Sequence, residues 1–298
     1  MGVKARNTFR ALVCVLATLH MVVQLPTKAA SQERHGVLAF VREGEARGIW
    51  IVEPGGEERR LTNGQDYRPS WSPDGERIAF QRFDGDGSDL YLMDADGLRV
   101  RALTRRGGYY HPAWSPDGSQ IVCGRVGNRR GEIVLMDADG SNQVRLTHNR
   151  WEETHPEWSP DGSRIAFASR RGGSAGSADV YLMNTDGSEE RRLTRNQARD
   201  LEPTWSPNGR WIVFVSNRRG DQDLWLIHPD GTGLRILTHN DALDWAPQWS
   251  PDGTKIAFTR ARYPKNQELM VVIDVRTRER FRLAISPAFE LEPDWHPA

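Results

Sequence analysis

This sequence predicts an all-β chain folded as a six-bladed β-propeller, with four antiparallel strands to a blade. A five-residue phrase recurs as Trp71-Ser72-Pro73-Asp74-Gly75 and begins again at Trp114, Trp158, Trp205 (with Asn208 in place of Asp) and Trp249, before an eroded copy at Trp295-His296-Pro297. Successive tryptophans lie 43, 44, 47, 44 and 46 residues apart, which is the period of a four-stranded propeller blade. The composition agrees: 28 Gly, 17 Pro and 11 Trp in 298 residues, with frequent Asp-Gly pairs, describe many short strands joined by tight turns. With 38% apolar residues, a chain of this length has enough material to bury the core of one closed ring.

Four segments of strand length make up a period, as in Tyr67 to Ser72, Arg77 to Phe83, Asp89 to Ala95 and Val100 to Thr104. Asp74-Gly75 and Asp96-Gly97 separate them in pairs, and Asp-Gly favours type I′ hairpin turns, so the segments are antiparallel neighbours. Ile78-Ala79-Phe80 and Leu90 to Met93 are apolar on both faces, as expected of strands sandwiched between blades. The fourth strand is richer in Arg, which suits an exposed edge. At the start of the ring, Val37 to Arg42, Gly48 to Glu53 and Glu58 to Thr62 supply a second, third and fourth strand without a first. The missing strand is Leu291 to Trp295, which matches Leu201 to Trp205. The C-terminal strand is therefore expected to join the N-terminal blade and close the ring, removing its last open edges.

Ahead of the repeats, residues 1–29 read as a secretory signal peptide. Lys4, Arg6 and Arg10 precede an apolar run from Ala11 to Leu25, followed by the small residues Ala29, Ala30 and Ser31. The run is about 15 residues, short of the roughly 20 that a membrane span needs. Cleavage is expected after Ala29, an uncleaved anchor being the alternative; residues 30–36 then form a short lead and residues 37–298 the propeller. No stable membrane span is expected after cleavage, and the location is periplasmic or secreted. Cys14 lies in the leader and lacks a lipoprotein context, so Cys123 has no partner for an internal disulfide. The leader carries Lys4, Arg6, Arg10 and Lys28 and no acid, leaving 36 basic residues against 40 acidic. That balance argues against nucleic acid as a partner.

The Trp-Ser-Pro-Asp-Gly blades, together with turns such as Asp89 to Gly97, resemble the TolB-type propeller repeat family over residues 35–298. The resemblance implies the propeller but does not name a job, since such blades occur in TolB, in propellers attached to peptidases and in some polysaccharide lyases. TolB proper carries an α/β domain ahead of its propeller. The stretch from Ser31 to Val37 has no room for one, so the resemblance is to the propeller part alone.

Candidate binding residues come from aligning the loops that enter each innermost strand, since propellers bind over the central channel. Just before the strand's Pro stand Arg68, His111, His155, Glu202, Ala246 and Glu292; two positions earlier stand Asp66, Tyr109, Glu153, Asp200, Asp244 and Glu290. Residues two apart on a strand share a face, so both sets are expected at one channel mouth. There they would receive a basic segment of a partner or a divalent cation, with His111 and His155 as imidazole ligands and Glu202 or Glu292 adding oxygen. The competing reading makes the recurrent acids structural acceptors for backbone amides of neighbouring blades. The loops between second and third strands carry Arg129-Arg130, Arg170-Arg171, Arg218-Arg219 and Arg260, Arg262 and Lys265, a basic rim. Asp84 to Asp89 reads as a hairpin rather than a calcium loop, since it lacks the distal Glu. The blade tryptophans read as wedges between blades, while Trp151 and Trp245 are the aromatic candidates in the mouth loops.

No nucleophile elbow, His-Glu-x-x-His, glycine-rich phosphate loop or paired-cysteine motif is present in the sequence. The expected function is a non-catalytic, monomeric protein-binding scaffold of the cell envelope that needs no cofactor. The alternative is a metal-assisted carbohydrate-active enzyme of the polysaccharide lyase type, built on His111 and His155.

Overall fold

A computed structural model describes residues 36–85, 87–105, 107–126, 130–171, 176–262, 267–282 and 290–297. The leader with Cys14, and Asp86, Arg129 and Lys265, lie outside the described residues. The described chain forms six four-stranded antiparallel sheets, the predicted propeller. Blade 1 takes Leu38–Arg42, Gly48–Val52 and Glu58–Arg60 as its outer three strands and Glu290–Trp295 as its innermost. The innermost strands of blades 2 to 6 are Gln65–Trp71, Tyr109–Trp114, Glu153–Trp158, Asp200–Trp205 and Leu243–Trp249. Blade 1 closes as expected: Leu38 pairs with Trp295 and Arg42 with Glu290, and the Arg42 guanidinium holds Glu290 at 2.9 Å. No helix among the described residues is long and apolar enough to cross a membrane.

The core lies between the blades. Phe40, Phe80, Phe167, Phe214 and Phe258 occupy one repeat position on the second strands and are fully buried, each contributing about 1.5–3 kcal/mol by leaving water. In blade 3 that position is Cys123, also fully buried, and burial pushes its thiol well above the usual range. The blade tryptophans act as the expected wedges. Trp71 packs against Val37, Ile49 and Ile51 of blade 1, and Trp114 against Leu90 and Leu92 of blade 2. At the outer edge a recurrent Leu-Thr pair follows the fourth strand of blades 1 to 5. Its Thr hydroxyl accepts the amide of the third strand, as in Thr104 to Leu90 at 3.0 Å and Thr238 to Leu224 at 2.9 Å. Outer-strand arginines reach the next blade's turn carbonyls, as Arg59 does to Asp96 at 2.7 Å.

The turns differ from the type I′ expectation. Of Asp74-Gly75 and Asp96-Gly97, only the glycines have positive φ (67° and 88°), whereas a I′ loop needs it at both central residues. The loops are longer. Gly75 N–H donates to the Ser72 carbonyl at 2.8 Å, Ser72 N–H donates to the Arg77 carbonyl at 2.9 Å, and the Ser72 hydroxyl accepts the Arg77 amide at 3.0 Å. Ser-Pro-Asp-Gly thus makes a turn whose hydroxyl supplies one rung of the hairpin.

Candidate functional site

Every innermost strand breaks its ladder at the same place. Tyr67 pairs with Gln81 and Ser70 with Ala79, so Arg68 and Pro69 together face one residue, Phe80. Pro has no N–H to give to the ladder, and the residue before it takes a left-handed conformation: φ is 50° at Arg68, 51° at His111, 54° at His155, 53° at Glu202, 50° at Ala246 and 55° at Glu292. Such a bulge re-aims a side chain. These six side chains line the central cavity, which encloses about 210 Å³.

The bulge also separates the two sets that even spacing placed on one face. Asp66, Asp200, Asp244, Glu153, Glu290 and Tyr109 are 0–2% exposed and do not line the cavity. They lie inside the blades against arginines of the second strand and the loop after it. Arg82 grips Asp66 with two bonds at 2.6 and 2.8 Å, Arg260 grips Asp244 at 2.7 and 2.8 Å, and Arg218 meets Asp200 at 2.9 Å. Arg171 pairs with Glu153. In blade 3, where the acid is replaced by Tyr109, the arginine stays and Arg125 lies over the ring at 5.3 Å. The basic rim is thereby partly consumed: Arg171, Arg218 and Arg260 turn inward, while Arg130, Arg219 and Arg262 remain exposed.

Within the cavity, Arg68 crosses from blade 2 to Glu202 on the opposite blade 5 at 3.0 Å and holds neighbouring Glu292 at 2.9 Å. Both glutamates also serve the bulges: Glu292 accepts the Arg68 amide at 2.8 Å and Glu202 the Ala246 amide at 2.6 Å. Burial opposes the charge on Glu202, but Arg68 and His155 outweigh it and hold the carboxyl far below its ordinary range. His155 Nε2 lies 3.4 Å from Glu202. His111 and His155 stack at 4.1 Å between centroids and 21° between planes. Burial lowers the pKa of both, with His155 and Arg68 adding to the effect at His111.

This stack does not fit the expected pair of metal ligands. Imidazole lone pairs lie in the ring planes, and two planes so nearly parallel meet far beyond a metal–nitrogen bond of about 2.0–2.1 Å. No group of three or more His, Cys, Asp and Glu among the described residues is placed to hold a metal.

Beyond this ring the cavity continues past Ser70, Glu157, Thr204, Gln248 and Asp294 to Pro73, Pro116 and Pro297, in the turns that follow the innermost strands. It therefore reaches the face opposite the mouth expected from sequence. Two acids that the sequence reading missed lie here. Burial, helped by the charge of Asp294, pushes Glu157 up to about 8; burial pushes Asp294 up to about 7 against the amides of Trp71 and Trp295 that bond it. Their signal was the residue between Pro and Trp, which varies as Ser70, Ala113, Glu157, Thr204, Gln248 and Asp294 in an otherwise repetitive phrase. On the other side of Arg68, Trp245 lines a separate recess with Leu201, Glu202 and Gln222. Trp151 is half-buried under Arg150 and does not line the cavity.

Comparison with known proteins follows the same lines. A family model described as the TolB β-propeller domain matches residues 55–176 and 156–298. A Tol-Pal system protein TolB from Nitratidesulfovibrio vulgaris is 40% identical over 62 residues, 19% of this chain and 14% of that protein; the match thus spans only a small part of the relative. The crystal structure of TolB from Acinetobacter baumannii superposes with a TM-score of 0.79 at 25% identity, covering 89% of this chain and 68% of that one. An oligogalacturonate lyase in complex with manganese shares the fold at a TM-score of 0.55 and 15% identity, over 82% of this chain and 71% of that one.

Proposed function

Because the chain belongs to the TolB β-propeller family, we propose that it is a non-catalytic, monomeric scaffold of the periplasm or cell exterior that takes a segment of an envelope protein into its central cavity. The curated relative is named as a Tol-Pal system protein, which supports an envelope protein as the partner. The observation that carries the reading is the form of the cavity. Arg68 bars it at one end, and from there it runs past Glu157 and Asp294 to the turn face. A cationic side chain entering from that face would meet two carboxyls that have no ion-pair partner among the described residues and would draw both toward the charged form. His111, His155, Glu202, Glu292 and Arg68 form the floor, Tyr109, Asp200 and Asp244 brace the blades, and the site works without a cofactor.

The test uses a photo-crosslinker at Gln248 and capture from an envelope fraction. Crosslinking of one protein through a Lys- or Arg-bearing segment, lost in Glu157→Gln/Asp294→Asn, supports the reading. Capture that persists in that variant refutes the cavity as the binding site. Stoichiometric metal bound by the purified protein and lost in His111→Ala/His155→Ala would overturn the scaffold in favour of the enzyme.

A further inference from the structure

A second groove, remote from the cavity, lies between blades 4 and 5 on the face of the Trp-Ser-Pro-Asp-Gly turns. It holds about 740 Å³ and is lined by Arg164, Arg191, Arg210, His228, Asp230 and neighbouring turn residues. Three guanidiniums face one carboxylate. Arg191 is engaged with the turn carbonyls of Pro229 and Asp230, whereas Arg164 and Arg210 are exposed and have no ion-pair partner among the described residues.

The repeats show that this charge is particular to blade 5. Following the turn glycine, the other blades carry Glu76, Ser119, Ser163 and Thr254; blade 5 carries Arg210. The next turn begins with Glu53, Asp94, Asp137, Asn184 or Asp274 elsewhere; in blade 5 it begins with His228. The recurring phrase itself has Asn208 where the others have Asp. Two of these departures, Arg210 and His228, line the groove itself, and each of the three removes a negative charge or adds a positive one. At the same repeat positions one blade earlier, Arg164, Arg191, Arg210 and His228 are replaced by Gln120, Val144, Ser163 and Asn184, and the groove that lies between blades 3 and 4 is lined by Asp117 and Asp161 and by no cation.

The wall is also fixed in position. His228 Nδ1 donates to the Arg210 carbonyl at 2.8 Å, which orients the ring and leaves Nε2 without that bond. The ring packs on Trp211 at 3.7 Å, and Arg235 lies over the same indole at 4.3 Å. With its indole covered, the groove offers charge rather than an aromatic platform.

We propose that this groove is a binding site for a phosphate group. Arg164 and Arg210 supply planar donor forks suited to a tetrahedral oxyanion, and the two positive charges left after Asp230 is counted match a phosphate dianion.

The test is calorimetric titration of the full chain with inorganic pyrophosphate, alongside flotation with vesicles of phosphatidylcholine alone or with added phosphatidic acid. Binding weakened at least tenfold in Arg164→Ser/Arg210→Ser, and retained in Arg101→Ser/Arg145→Ser, supports the site. His228→Asp, which copies the acid of blades 1, 2, 3 and 6, is expected to weaken binding while the protein still melts cooperatively. Flotation with phosphatidic acid that is lost in the same variant identifies a lipid headgroup as the source; pyrophosphate binding without flotation identifies a soluble phosphate. Absence of both, or equal loss in the two double variants, overturns the proposal.

Discussion

Replacing Asp244 by Ala separates the two meanings of the recurrent acids. In the native blade, Asp244 is fully buried and Arg260 is 6% exposed, joined by two bonds at 2.7 and 2.8 Å, with Asn240 adding a third to the carboxylate at 3.1 Å. Removing the carboxylate leaves a buried guanidinium uncompensated, which costs about 3–5 kcal/mol. For a chain of this size each kcal/mol lowers the melting temperature by about 2–4 °C, so a drop of roughly 6–20 °C is expected. Urea unfolding followed by tryptophan fluorescence reads the free energy, and thermal circular dichroism reads the midpoint. Asp244→Tyr copies the arrangement of blade 3, where Tyr109 lies under Arg125, and is expected to recover part of the loss. A cost below about 1 kcal/mol for Asp244→Ala, in the range of exposed pairs, would refute the structural reading and return these acids to the list of ligand-binding groups.

The contribution of Glu157 and Asp294 to stability is expected to fall as pH rises from about 4, the unfolded value of a carboxyl, to about 8. Glu157 and Asp294 have folded pKa values raised to about 8 and about 7, so the native state holds protons that the unfolded chain has released, and their contribution is lost as pH rises through those values. Glu157→Gln/Asp294→Asn should flatten a melting series across that window. His111 and His155 act in the opposite sense: their pKa values are lowered in the fold, so stability is lost as pH falls below about 6.5, the unfolded value. His111→Asn/His155→Asn should reduce that acid-side loss, and an unchanged profile would contradict the buried stack. A chain ending at Ser286, which lies outside the described residues, lacks the strand Glu290–Trp295; cooperative melting is expected to disappear, and melting like that of the full chain would count against closure. Cys123 is fully buried with a raised thiol pKa, so peptide-mapped labelling by a thiol reagent should be negligible in buffer and complete in denaturant.

How much of this could be read in advance depends on what a repeat makes visible. Six tryptophans at near-constant spacing gave the blade count, and Leu291 to Trp295 matching Leu201 to Trp205 gave the closing strand, because each copy is independent evidence for the same local structure. The bulge was hidden. Pro69 and its equivalents were visible, but the left-handed turn at the residue before each of them is a backbone event, and the two-residue periodicity applied across it placed Asp200, Asp244 and Tyr109 in the wrong compartment. The arginines of the rim misled for a related reason. The repeat pattern places Arg218 and Arg260 on a basic rim, but does not show that the fold turns them inward to meet Asp200 and Asp244. Glu157 and Asp294 were not legible because they follow the Pro, on the side away from the mouth expected from sequence, and the cavity continues there.

The closing blade also sets an order of events. Arg42 and Glu290, which meet in it, are 248 residues apart in the chain, and contacts of such separation form late and slowly. A chain delivered N-terminus first would present Leu38–Arg42 as an unpaired edge until Glu290–Trp295 arrives. Throughout that interval the edge is open to wrong pairing with other chains. The last strand to emerge therefore works as a completion signal, and chains that lack it are left with an exposed β edge of the kind that marks an unfinished molecule for capture or degradation.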